Sequence, residues 1–129
     1  MEVKNINFLN ISKELAEILK NIEKIWDGKN AIIDMKISGY KHWRQMEWIG
    51  FYFQYLCEKS LSKIMEIPGK KYGNVSFDGF KQIPWDFKSH AINTSSHQII
   101  VNDSEAITCA LKDYDAVGLI LALGKVEYN

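Results

Sequence analysis

N-V-S-F-D-G-F-K-Q-I-P-W-D-F-K-S-H-A-I, residues 74–92, is the stretch whose reading decides the fold. It reads as two short strands joined by a tight connection. Asp78 stands near the end of the first strand, and Asp86, Lys88 and His90 run along the second. Side chains alternate across a strand, so residues 86, 88 and 90 share one face. Trp85, Phe87, Ser89 and Ala91 point the other way, toward a core. Strands are depleted of Asp and Lys, so three ionisable groups on one strand face call for a reason.

A metal-dependent hydrolase site supplies one. Two carboxylates suit a hard divalent cation such as Mg²⁺, which takes oxygen ligands in octahedral geometry. Such an ion polarises a phosphoryl oxygen and activates bound water. Lys88, two residues from Asp86 on the same face, is suited to orienting or deprotonating that water, or to balancing charge that develops on phosphorus. His90, one step further out, is a candidate phosphate contact. The alternative is plainer: Asp78-Gly79 as an ordinary turn dipeptide, with Asp86 and Lys88 on the solvated face of an antiparallel hairpin.

The pattern of Asp78 followed by Asp86-Phe87-Lys88 resembles the PD-(D/E)xK nuclease signature, in which an acidic residue precedes a D/E-x-K tripeptide. The wider string F-D-G-F…P-W-D-F-K-S-H-A is similar to type II restriction endonucleases of that superfamily. The first motif reads Phe77-Asp78 where the signature has Pro-Asp. The resemblance covers residues 40–129. It implies a mixed α/β core, Mg²⁺ as cofactor, and hydrolysis of double-stranded DNA at a specific site, with Asp78 and Asp86 as metal ligands. It also implies a homodimer, because a two-fold protein matches a palindromic target.

Composition bounds this reading. At 129 residues and 47% hydrophobic content, the chain is long and apolar enough for one domain with a real core. The formal charge of zero gives no general pull toward a polyanion. DNA binding would then fall to a local basic groove, for which Lys63, Lys70, Lys71, Lys81 and Lys88 are candidates. No apolar run is long enough to suggest a membrane span, and the N-terminus lacks the pattern of a secretory signal. Cys57 and Cys109 sit in apolar contexts and read as buried thiols of a cytoplasmic protein, not as a zinc site. No Gly-rich loop at Walker spacing, C-x-x-C or G-x-S-x-G occurs, which removes nucleotide cofactors, zinc modules and serine hydrolases from the front rank.

Outward from the hairpin, residues 11–26 predict an amphipathic helix, with Leu15, Ile18, Leu19, Ile22 and Ile25 at helical spacing and Asn10 or Ser12 as its cap. Trp26-Asp27-Gly28 reads as a turn, and residues 31–37 as a short apolar strand. A rival motif, Asp34-Met35-Lys36, lies there behind Asp27, but it lacks the strand and the histidine that accompany the later pair. Residues 41–64 predict a long, largely buried aromatic helix with one polar stripe of Arg44, Glu47, Gln54 and Glu58. Glu47 is a candidate third carboxylate and Arg44 a further phosphate contact, as is Lys81 of the hairpin. The segment H-W-R-Q-M-E-W-I-G-F-Y-F also looks like restriction endonuclease sequence. Gly50 within this helix predicts close approach by another element.

Further on, Lys70 to Gly73 reads as a loop and residues 98–101 as a short strand. Residues 105–112 predict a helix capped from Asn102–Ser104, and residues 116–123, A-V-G-L-I-L-A-L, a strand central in a sheet. The chain stops soon after, which reads as a nuclease core incomplete at its C-terminus. The expected organisation is thus one α/β domain, a mixed sheet flanked by helices, with residues 1–40 as lead-in and 41–129 as catalytic core. The rival expectation is a non-catalytic binding or dimerisation module, or an inactive nuclease remnant. In that version the aromatic residues between Trp43 and Ile64, more than one small core needs, form a self-association face.

Overall fold

The structure is a computed structural model that describes residues 8–40, 48–93 and 104–127. The elements run α1 (Phe8–Leu19), α2 (Gly28–Ile37), α3 (Trp48–Leu61), β1 (Lys71–Tyr72), β2 (Val75–Ser76), β3 (Gly79–Lys81), β4 (Ile83–Ala91), α4 (Ser104–Tyr114) and β5 (Gly118–Gly124). The chain is mixed α/β, as its pattern predicts. A three-stranded sheet has the order β3-β4-β5, and β1 and β2 form a separate small hairpin. None of the described helices is long and apolar enough to cross a membrane.

β4 is the hub of the sheet. It pairs antiparallel with β3, from Lys81↔Ile83 to Gly79↔Trp85, and parallel with β5, from Trp85↔Gly118 to Ala91↔Gly124. The connection from β3 needs a single residue, Gln82, held at φ 62. The parallel connection to β5 runs through α4, since parallel neighbours need a crossover. On the outer side of β3, Glu66 exchanges two backbone bonds with Phe80, and Phe77 bonds to Gly69 and Lys70.

Alternation along β4 sends Trp85 and Phe87 into the main core, where they meet Ile11 and Leu15 of α1 and Phe53, Cys57 and Leu61 of α3. α3 lies against this face. A Cβ on Gly50 would sit 3.8 Å from Ser89 Oγ, an ordinary van der Waals contact, so no approach here requires a glycine. On its other flank α3 buries Tyr52, Tyr55 and Leu56 against Ala31 and Met35 of α2. Tyr52, Phe53 and Tyr55 of α3 are thus buried in this chain's own core, with Trp48 and Phe51 partly buried.

Several expectations are corrected. Residues 28–37 form a helix, not a strand. Asp27 is its N-cap, accepting from Asn30 N at 3.1 Å, and Ala31 and Met35, one turn apart, are its buried stripe. α1 starts at Phe8 and ends at Leu19, so neither Asn10 nor Ser12 is its cap. The first expected strand of the hairpin is divided: β2 pairs with β1 in the segment read as a loop, and Asp78 lies between β2 and β3. β5 is an edge strand among the described residues, not a central one, and Leu119, Leu121 and Leu123 are exposed along it. Cys57 is buried as expected, but Cys109 is exposed. The strand expected at residues 98–101 lies outside the described residues.

Gly118 faces the Trp85 indole so closely that any Cβ there would overlap the ring, whereas Gly124 has open space around it. Gly118→Ala is therefore expected to lower stability by about 1–3 kcal/mol, the usual cost of overpacking, while Gly124→Ala stays near neutral. The midpoint of urea unfolding measures both.

Candidate functional site

The antiparallel ladder between β3 and β4 stops at the Gly79–Trp85 pair. One step further, the backbone of Phe77 is already bonded to Gly69 and Lys70. The N–H of Phe87 would be left without a strand partner, and a buried amide in that position is costly. The Asp78 side chain fills the place: its Oδ2 accepts from Phe87 N at 2.8 Å. In return the Asp78 N–H donates to Asp86 Oδ1 at 3.3 Å. Two bonds in opposite directions lock the two aspartates across the end of the hairpin.

Around this pair the chain gathers polar groups on a buried floor. Gln54 of α3 donates from Nε2 to Asp78 Oδ1 at 3.4 Å. Glu58, one turn further along α3, lies near enough for its charge to act on Asp78 and on the Tyr40 phenol. Tyr40 is delivered by the end of α2, where Gly39 takes φ 74 and Tyr40 N bonds back to Met35 O at 2.9 Å. Asp86 is 5% exposed, the one charged side chain among the described buried residues. Lys88 is half-buried on the same strand face, and its charge favours the ionised form of Asp78.

The electrostatics record this crowding. Burial pushes the Asp78 carboxyl up to about 6, the Phe87 N–H bond opposes the rise, and the negative charges of Asp86 and Glu58 add to it against Lys88. Cys57, beneath the cluster, has its thiol pushed up by burial and then by the charges of Asp78 and Glu58. Burial, followed by Glu58, likewise raises the Tyr40 phenol. Each of these groups feels excess negative charge in a poorly solvated place.

The residues singled out from sequence divide into three sets. Asp78, Asp86 and Lys88 are brought together. Glu47 and Arg44 lie outside the described residues. Lys81 goes elsewhere: its Nζ makes a 3.5 Å ion pair with Glu14 of α1 and a 3.4 Å bond to Ile64 O. Three residues from Asp78, it faces the opposite side of the hairpin. Of the other lysines of the expected groove, Lys70 lies over the Phe80 ring at 4.8 Å, and Lys63 and Lys71 are exposed. His90 shares the face of Asp86 and Lys88, but its Nε2 is enclosed and has no hydrogen-bond partner among the described residues. A phosphate contact at that nitrogen requires the covering atoms to move. The rival motif is a structural feature: Asp34 accepts from Tyr55 O–H at 3.4 Å, and Ser38 Oγ sits 2.8 Å from the same hydroxyl.

Gln54 and Glu58 are the site residues that a search for the signature misses. Their signal is the one-turn spacing on an otherwise aromatic helix, where a carboxylate needs a partner to be tolerated. No three His, Cys, Asp or Glu side chains among the described residues converge as ligands on one point. A site of two carboxylates still fits Mg²⁺, which is usually held by one or two carboxylates and completed by water and substrate phosphate. Compared with protein-family models, curated proteins and solved structures, the chain matches none.

A carboxyl whose pKa rises on folding stabilises the protonated fold, so stability is full below the unfolded value near 3.8 and is lost as pH rises toward about 6. The wild-type protein is expected to lose urea resistance across that window in metal-free buffer. Asp78→Asn, which keeps the acceptor for Phe87 N–H and removes the charge, should flatten that segment of the profile. An unchanged slope in the variant would assign the titration to another group.

Proposed function

We propose that the chain is a Mg²⁺-dependent phosphodiesterase acting on double-stranded DNA, with a core like that of type II restriction endonucleases. The observation that carries the reading is the mutual lock of Asp78 and Asp86 at the end of the β3–β4 hairpin, with Lys88 on the same strand face. The order α3, β3, β4, α4, β5, with an antiparallel hairpin followed by a parallel crossover, supports the same comparison.

The roles follow from the chemistry of each group. Asp78 and Asp86 would hold the ion, and Gln54 and the Phe87 N–H keep the Asp78 carboxylate in one orientation. When bound, the ion would polarise a phosphoryl oxygen and lower the pKa of the attacking water. Lys88 orients that water or stabilises charge on phosphorus. Glu58, close to Tyr40, adds negative potential behind the pair and favours a cation there. Target recognition requires contacts beyond this hairpin, since carboxylates and one lysine read no base edges.

Plasmid DNA incubated with the protein and Mg²⁺ is expected to give discrete fragments, and none with a chelator. Asp86→Ala and Lys88→Ala should each lower the rate by at least ~100-fold, the lower end for loss of a proton-transfer or charge-stabilising group, with unfolding midpoints showing the variants folded. Cleavage at the wild-type rate by either variant contradicts the assignment. Independently of activity, Mg²⁺ should raise the melting temperature of the wild-type protein above pH 6, since a ligand bound only by the native state stabilises it. Asp78→Asn should abolish that rise.

A further inference from the structure

The β1–β2 hairpin leads straight into the candidate site: Ser76 closes β2, and Asp78 stands two residues on. Its strands are only two residues long, and a ribbon of that size does not hold by itself. The fold fastens it along one side. Tyr72 and Val75, which pair across the ladder, pack with Phe77 against Ala106 and Ala110 of α4. The Tyr72 hydroxyl donates to Asp113 Oδ2 at 3.0 Å. At the base, Phe77 N bonds to Lys70 O and Gly69 N to Phe77 O, both at 2.9 Å. Alternation turns the other pair, Lys71 and Ser76, outward, and both are exposed, as are Gly73 and Asn74 at the tip.

We propose that this hairpin enters the major groove of the DNA, where Asn74 reads an adenine and Lys71 rests on a flanking phosphate. Three features fit that role. Residues 69–77, G-K-K-Y-G-N-V-S-F, hold two lysines and no acid in a chain whose formal charge is zero, so the ribbon itself attracts a polyanion. The tip is narrow, because Gly73 at φ 62 lets two residues turn the chain, and the major groove, ~12 Å wide, admits a two-stranded ribbon. Asn74 is not at positive φ, so the turn does not require an asparagine there. Its amide carries a donor and an acceptor out to solvent, the pair that matches adenine: the carbonyl oxygen accepts from N6–H, and the NH₂ donates to N7.

The hairpin's role rests on the proposed nuclease reading and gives it the base contacts that two carboxylates and a lysine do not make. Four residues separate Asn74 from Asp78, at most roughly 13 Å of extended chain. A tip on the base edges therefore lies within about one groove width of a phosphate held at Asp78 and Asp86. That reach spans about four base-pair rises, so the read adenine and the cut phosphate stay close together. The bond from Tyr72 to Asp113 and the packing of Phe77 hold the ribbon in place before DNA arrives, which lowers the entropic cost of two directional bonds.

The test digests a pool of random-sequence duplexes with the full chain and Mg²⁺ and sequences the cut ends. The wild-type protein is expected to prefer one sequence, with an adenine within about four base pairs of the cut. Asn74→Ala should lower the preference for that adenine by at least ~5-fold, the lower end for one bidentate base contact, and leave the other positions unchanged. Asn74→Asp, which only accepts, should move the preference there from adenine toward cytosine. Lys71→Ala, followed by fluorescence anisotropy in chelator, should weaken binding about equally across sequences and lower the salt slope by about one. Both residues are exposed, so each variant should keep the wild-type urea midpoint. Cutting whose preference is the same in wild type, Asn74→Ala and Asn74→Asp, or cutting with no preference, overturns the hairpin's role and leaves the nuclease standing. No Mg²⁺-dependent cutting by the wild-type protein overturns the nuclease reading and the hairpin's role with it.

Discussion

The bond from Phe87 N–H to the Asp78 carboxylate is the constraint on which the rest of the hairpin depends. β3 is short because the chain before it turns away to pair with residues 66–70. β4 therefore runs on past its antiparallel partner, and a side chain has to finish what a strand began. An aspartate does this with one oxygen and keeps the other for Gln54. The geometry that completes the ladder also fixes the orientation of Asp78 and aims its backbone N–H at Asp86. Local hydrogen-bond satisfaction and the assembly of two carboxylates are the same event.

That arrangement has an electrostatic cost, since Asp78 is half-buried beside two more carboxylates and only Lys88 opposes them. A fold that wanted only the hydrogen bond to Phe87 could have used asparagine without the charge. The burial of Asp86 at 5% exposure sharpens the point. Buried charges need partners; Asp86 has one in the Asp78 N–H, and under the proposed function a hard cation would be a further one.

How much of this was legible in the sequence depends on the range of the interaction. Strand alternation is local, so Trp85 and Phe87 as core and Asp86 with Lys88 on one face could be read directly, as could the amphipathic α4. The same parity shows why Lys81 does not join Asp78, although both lie within one short hairpin. A-I-I-D-M-K-I reads as a strand yet folds as part of α2, because a short apolar run does not distinguish the two periods. The deciding residue was Asp27, whose cap looks like a turn. The apolarity of β5 predicts a central strand, yet position in a sheet is set by which strands the rest of the chain supplies. Gln54 and Glu58 could be found only as an odd polar pair on an aromatic helix, because their partner Asp78 is distant in sequence. Gly39 is the local mark of the Schellman turn that carries Tyr40 toward Glu58, but it signals a helix end only once residues 28–37 are read as a helix.

Asp78 is held against Asp86 as a half-buried carboxyl with a raised pKa, and the proposed function makes it a cation ligand. Carbon-13 NMR of the Asp78 carboxyl, titrated with and without Mg²⁺, tests it most directly. The account predicts titration near pH 6 in the metal-free protein and a marked fall when Mg²⁺ is added, with Asp86→Ala abolishing that fall. Titration near pH 4 without metal, unmoved by Mg²⁺, would contradict it.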